Sequence, residues 1–185
     1  MNQSLRMTVY SCVLTALTVV GSYLQIPVGP VPIVLANLFV LLAGLLLGSR
    51  WGAASMALYL LLGLIGLPVF AGGAGGAAAL VGPTGGYLFG YLLAAFLAGL
   101  ISERGRSGPA RDVIALVAGA LSIYLLGVPW LKLSLGMSWT KTLAAGFFPF
   151  LIGDALKVAA AFAIVRILQG AASELFPALA SRSSR

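Results

Sequence analysis

Asp154 and Lys157 lie in FLIGDALKV (150–158), an otherwise apolar stretch. On insertion scales each ionised side chain costs roughly 2.5–3.5 kcal/mol at the centre of a bilayer. A helix puts residues i and i+3 on one face, about 4.5 Å apart along its axis. The two charges can therefore pair with each other and still offer an acceptor and a donor to a polar ligand. Charge inside a membrane points first to binding or transport. A structural ion pair that locks helices together is the competing reading.

A second candidate is backbone rather than side chain. Residues 70–76 (FAGGAGG) and 81–87 (VGPTGGY) make a long, nearly uncharged, glycine-rich loop that includes Gly72, Gly73, Thr84 and Tyr87. Glycine lets backbone amides come close to a ligand, and loops of this length usually act as lids or linings. A flexible connector is the alternative. No lysine follows the glycines, so a phosphate-binding P-loop is not supported. Asn37 and Gln25 lie near span ends, where each serves equally well as a ligand contact or as a partner for a buried backbone group. Cys12, Ala16 and Val20 recur every four residues beside Gly21. That small-residue face suits close helix contact, although lipid-facing alanine is as ordinary. Histidine is absent and Cys12 is the single cysteine, which argues against a metal site or a disulfide within the chain. With no serine–histidine pair and no carboxylate cluster, an enzyme is not expected.

These residues need elements to hold them, and composition says which kind. Of 185 residues, 61% are hydrophobic and 8% charged, against about 25% charged in soluble domains. Such a surface suits lipid, not water. The expected fold class is an all-α membrane protein with six transmembrane helices in one domain, 1–185. Apolar runs place the spans at about 5–24, 33–47, 53–67, 87–101, 113–131 and 144–168, with an outer loop over 68–86. Prolines 27, 30 and 32 end the first span, and the charged, glycine-flanked GSRWG (48–52) separates the second from the third. The first apolar stretch is read as a retained helix and not as a cleaved signal, and the tail after 170 is small and polar.

The net charge of +7 marks topology rather than nucleic acid. Six spans put Arg6, Arg50, Arg104, Arg106, Arg111, Arg166, Arg182 and Arg185 on one side, leaving Lys132 and Lys141 on the other. Arginine-rich loops are cytoplasmic, so both termini are expected inside, and the glycine-rich loop outside. Trp51, Trp130 and Trp139 fall near span ends, as interfacial tryptophans do.

Four stretches in order, IPVGPVPI (26–33), YLLLGLIGLPVFAGG (59–73), GPTGGYL (82–88) and GDALK (153–157), make the sequence resemble the BioY family. These are the biotin-specific substrate-capture (S) components of energy-coupling factor (ECF) transporters of prokaryotic cell membranes. The resemblance implies a six-helix fold binding one biotin near the outer face, under the loop joining helices three and four. It implies as partners a transmembrane coupling protein and two ATPase subunits, which alone use ATP; no cofactor is implied for the chain itself. It also implies a docking face on the first helix at Cys12, Ala16 and Val20, where the family usually reads Ala-xxx-Ala. Ala36-Asn37 stands where the family usually carries a polar pair such as Gln-Thr.

Biotin fits the residues. Its ureido ring offers two N–H donors and a carbonyl acceptor. Asp154 would accept from an N–H, Lys157 would neutralise Asp154 and meet the carbonyl or the valerate carboxylate, and Tyr87 with the glycine backbone would cover the thioether ring. Asn37 and Thr84 complete the expected contacts. A stand-alone carrier for biotin or another small vitamin is the alternative function.

Overall fold

Five helical stretches among the described residues have the length and hydropathy to cross a membrane: Gln3–Tyr23 (α1), Ala36–Leu64 (α2), Gly85–Glu103 (α4), Pro109–Leu135 (α5) and the interrupted segment Trp139–Leu168. The computed structural model describes residues 2–104 and 108–171. Arg106, Arg182, Arg185 and the polar tail after 171 lie outside the described residues.

α2 is not one rod. Gly48 has φ 82° and ψ 179°, a conformation essentially reserved for glycine, and the chain doubles back there. The Ser22 and Tyr59 hydroxyl oxygens are 2.7 Å apart, yet a Cβ on the adjacent Gly21 would sit 2.8 Å from the Ala36 nitrogen. A straight helix would hold positions 36 and 59 roughly 34 Å apart. α2 is therefore a hairpin with arms 36–47 and 49–64. Glu103 caps the second arm, its carboxylate accepting from Ser49 N at 2.8 Å and Ser49 Oγ at 2.7 Å. With the two arms counted separately, the described residues hold the six long helices expected of the fold: α1, both arms of α2, α4, α5 and Leu151–Ala171 (α7).

Several boundaries differ from the sequence reading. Residues 33–34 are not helical: Ile33–Val34 pairs antiparallel with Gln25–Ile26, so the second span begins only at Ala36. The third begins at 49, because Glu103 satisfies its first amide, and ends at Leu64. The outer loop is not wholly irregular: it holds a 3-10 turn, Ala71–Gly73, and a short helix, Ala77–Val81 (α3). α5 runs past the expected 131 to Leu135, where Gly136 closes it in a left-handed turn. The last span does not begin at 144. Trp139–Gly146 forms a separate helix (α6), Phe148–Phe150 a 3-10 turn around Pro149, and α7 starts only at Leu151; proline cannot continue the preceding helix.

Two kinds of packing hold the bundle. α1 meets the second arm through hydroxyls: Thr15 Oγ1 lies 3.0 Å from Ser55 Oγ, and Ser11 donates to the Trp51 carbonyl. Small residues instead let α2, α4 and α5 approach closely; a Cβ on Gly44 would come 2.5 Å from the Ala95 oxygen, and one on Gly90 2.9 Å from Ile123. Lipid tails are as apolar as leucine, so hydroxyl bonds and close backbone contact are what membrane helices use to associate. Arg6, Arg50, Arg104, Arg111 and Arg166 fall toward one end of the crossings; Lys132 and Lys141 fall at the other.

Candidate ligand-binding site

Near the lysine end, three crossings converge on one carboxylate. Asp154 lies in the first turn of α7 and is buried, as is Lys157 one turn on. Lys157 Nζ stands 2.8 Å from Asp154 Oδ1, and Asn37 Nδ2, at the start of α2, donates to the same oxygen at 3.3 Å. The Tyr124 hydroxyl of α5 donates to Oδ2. A carboxylate has about four acceptor positions, so these three donors leave Asp154 room for one more. Lys157 keeps two N–H donors beyond the one aimed at Asp154. The site can thus present an acceptor and cationic donors side by side without a net charge.

Aromatic side chains brace this cluster. The Tyr124 ring meets Phe147 edge-on at 5.0 Å and Tyr87 edge-on at 6.3 Å. Tyr87 in turn donates to the Gly146 carbonyl at 2.8 Å, tying α4 to the end of α6. Above them lie two small adjoining cavities that share Val31, Pro32, Val34, Tyr87 and Tyr91. The deeper, about 30 Å³, is walled by Asn37, Tyr124 and Phe150. The outer, about 110 Å³, is roofed by Phe70, Ala71, Ala74, Ala79 and Thr84.

The expected site residues are thus brought together unequally. Asn37, Tyr87 and Thr84 line the cavities directly. Asp154 and Lys157 stand one layer behind, reached through Asn37 and Tyr124. Gly72 and Gly73 do not line either space: both have left-handed φ (70° and 74°), and the side on which a Cβ would project faces Gln25 and Tyr23. They shape the loop so that Ala71 and Ala74 point in. Cys12, Ala16 and Val20 share the exposed face of α1, opposite the hydroxyl seam.

A family model described as the BioY family matches residues 1–174. The chain belongs to the BioY family. It is 45% identical over 157 residues to a protein named biotin transporter BioY of Thermotoga maritima, covering 85% of this chain and 92% of that one. A second protein of that name, from Lactococcus lactis, is 35% identical and covers 91% of this chain and 93% of its own. Among solved structures, the S-component for biotin from an ECF-type ABC transporter superposes with a TM-score of 0.84 at 34% identity, covering 91% of this chain and 93% of that one.

In this BioY-family chain, sequence reasoning did not find Tyr124, Tyr91 or the 147–150 turn. Tyr124 lies in the apolar α5 sequence and reads as ordinary core. The available signal was that a tyrosine within a span needs a partner for its hydroxyl, and that Asp154, a carboxylate in the middle of an apolar stretch, needs donors.

Proposed function

We propose that the chain binds biotin at the outer side of a prokaryotic cell membrane and mediates its uptake as the substrate-specific component of an ECF-type transporter. The observation that carries this is the match over nine-tenths of the chain to an S-component for biotin, supported by relatives named biotin transporters. In this reading Asn37 and Tyr124 meet the ureido ring, Asp154 behind them offers its remaining acceptor position to a ureido N–H, and Lys157 pairs with Asp154. Tyr87, Tyr91 and Phe70 cover the apolar part of the ligand.

The enclosed space is well below the roughly 300–1,000 Å³ of ordinary ligand pockets. Biotin therefore enters with the 71–79 roof displaced outward. Nothing in the cluster is arranged to make or break a covalent bond, and the chain has no nucleotide-binding motif; ATP hydrolysis belongs to two partner ATPases, transmitted by a transmembrane coupling protein. Cys12, Ala16 and Val20 form the docking face for that protein.

Radiolabelled biotin binding to the purified chain in detergent tests the reading. Saturable, stoichiometric binding is expected, with thermal protection growing as ligand is added; absence of binding overturns it. Uptake in a host lacking all ECF subunits separates a dependent component, which fails there, from a self-sufficient carrier, which does not.

A further inference from the structure

A second concavity, about 500 Å³, lies on the opposite side of α3 from the biotin site. Its walls include Ala57, Leu61 and Leu64 of the second α2 arm, Leu80 and Val81 of α3, and Phe89 of α4. Every residue lining it is apolar. We propose that it is a binding groove for one acyl chain of an outer-leaflet phospholipid, and that this chain supports α3 from behind.

Depth, chemistry and shape choose the occupant. Positions 57–64 lie roughly 12–22 Å along an arm that begins at the arginine end, and Phe89 lies about 6 Å from the opposite end of α4. The groove is therefore in the half of the hydrocarbon layer away from the arginines. Val81 is 69% exposed and Leu61 56%, and at that depth only hydrocarbon covers such side chains without cost. A second protein helix, about 10–12 Å wide with its side chains, would offer the recess side chains only, whereas a single methylene chain can fill its roughly 500 Å³ along its length.

α3 has few other supports. Five residues are too few to hold a helix alone. Its ends are tethered, Gly76 N donating to the Gly63 carbonyl at 2.7 Å and Trp130 Nε1 donating to the Gly82 carbonyl at 2.9 Å. Between these tethers, Ala79 faces the ligand cavity while Leu80 and Val81 face the groove. α3 is thus a partition one helix thick between biotin site and lipid, and an acyl chain on the far side resists its outward movement.

The test uses the full chain in vesicles of dioleoylphosphatidylcholine, without biotin, so that its result is independent of the transport reading. Native mass spectrometry after release from the vesicles should show one retained phospholipid on the wild type. Ala57→Phe, which fills the groove, and Val81→Ser, which places a hydroxyl in it, should each lower that occupancy at least fivefold. Leu125→Phe, equally lipid-facing on α5 but outside the groove, should not. Hydrogen exchange at residues 78–81 should quicken in Val81→Ser and stay slow in Ala57→Phe, where the ring replaces the chain. Equal retention in all four proteins, no retained lipid on the wild type, or recovery of a dimer in place of the lipid adduct would each overturn the proposal.

Discussion

A carboxylate at membrane depth is tolerated when its acceptor positions are filled, and Asp154 has three donors from three separate crossings. Removing one donor and removing the acceptor are therefore different experiments. Tyr124→Phe deletes a hydroxyl that bonds a charged group, worth about 1.5–3 kcal/mol, and biotin affinity should fall by roughly one to two decades. Asp154→Asn should cost at least as much, because Lys157 also loses its counter-charge. Replacing the pair together, Asp154→Leu with Lys157→Met, leaves no buried charge unpaired but strips the acceptor from Asn37 and Tyr124; the two effects oppose each other, so the melting temperature should change little while biotin is no longer retained. Isothermal titration and thermal melts on the same preparations check all three. Native affinity in the double mutant would leave the pair a purely structural role. The i, i+3 spacing made Asp154 and Lys157 readable in the sequence. Tyr124 was not, because its partner lies 30 residues away on another helix and no local pattern records that pairing.

At the scale of elements, the crossing that mattered most is the one folded at a single residue. The sequence marks the break by its glycines and Arg50, but not that the arms lie side by side. That follows from the hydroxyls of α1 and from Glu103, which meet α2 across 37 to 54 positions of chain. Gly48→Ala tests the hinge. A side chain at φ 82°, ψ 179° costs of order 1–3 kcal/mol, and here it would also strike the Glu103 carboxylate and uncap the second arm. The melting temperature in detergent should drop, with biotin affinity much less affected, since the hinge lies at the end of the bundle away from Asp154. Glu103→Gln should show a smaller drop, because an amide oxygen still accepts from the Ser49 amide. The start of α7 was harder to read. The 144–150 segment is as apolar as a span, and only Pro149 and the Phe147 backbone turn it away from the helix axis.

For the whole molecule, α1 stands between two duties. One face carries Ser11, Thr15 and Ser22, committed to the second α2 arm and, through the Ser22–Tyr59 bond, to the aromatic layer under Phe70, whose ring lies 5.3 Å from that of Tyr59. The other face shows Val9, Val13, Leu17 and Val20 to the membrane, with the smaller Cys12 and Ala16 leaving a shallow strip where another helix can approach. If that strip is where the coupling protein docks, binding and uptake must separate under mutation. Ala16→Phe projects away from the seam, so the chain should insert, melt and bind biotin as the wild type does. Overpacking a helix interface typically costs 1–3 kcal/mol, so biotin uptake in a host supplying the coupling protein and ATPases should fall about tenfold or more. Thr15→Val, on the seam, should do the reverse: it loses the Ser55 contact and lowers the melting temperature, yet leaves the docking strip intact. Radiolabelled uptake and binding measured side by side distinguish the two. Wild-type uptake by Ala16→Phe and by Cys12→Phe alike would move the docking face elsewhere on the bundle, to helices whose lipid-facing side is uniformly bulky.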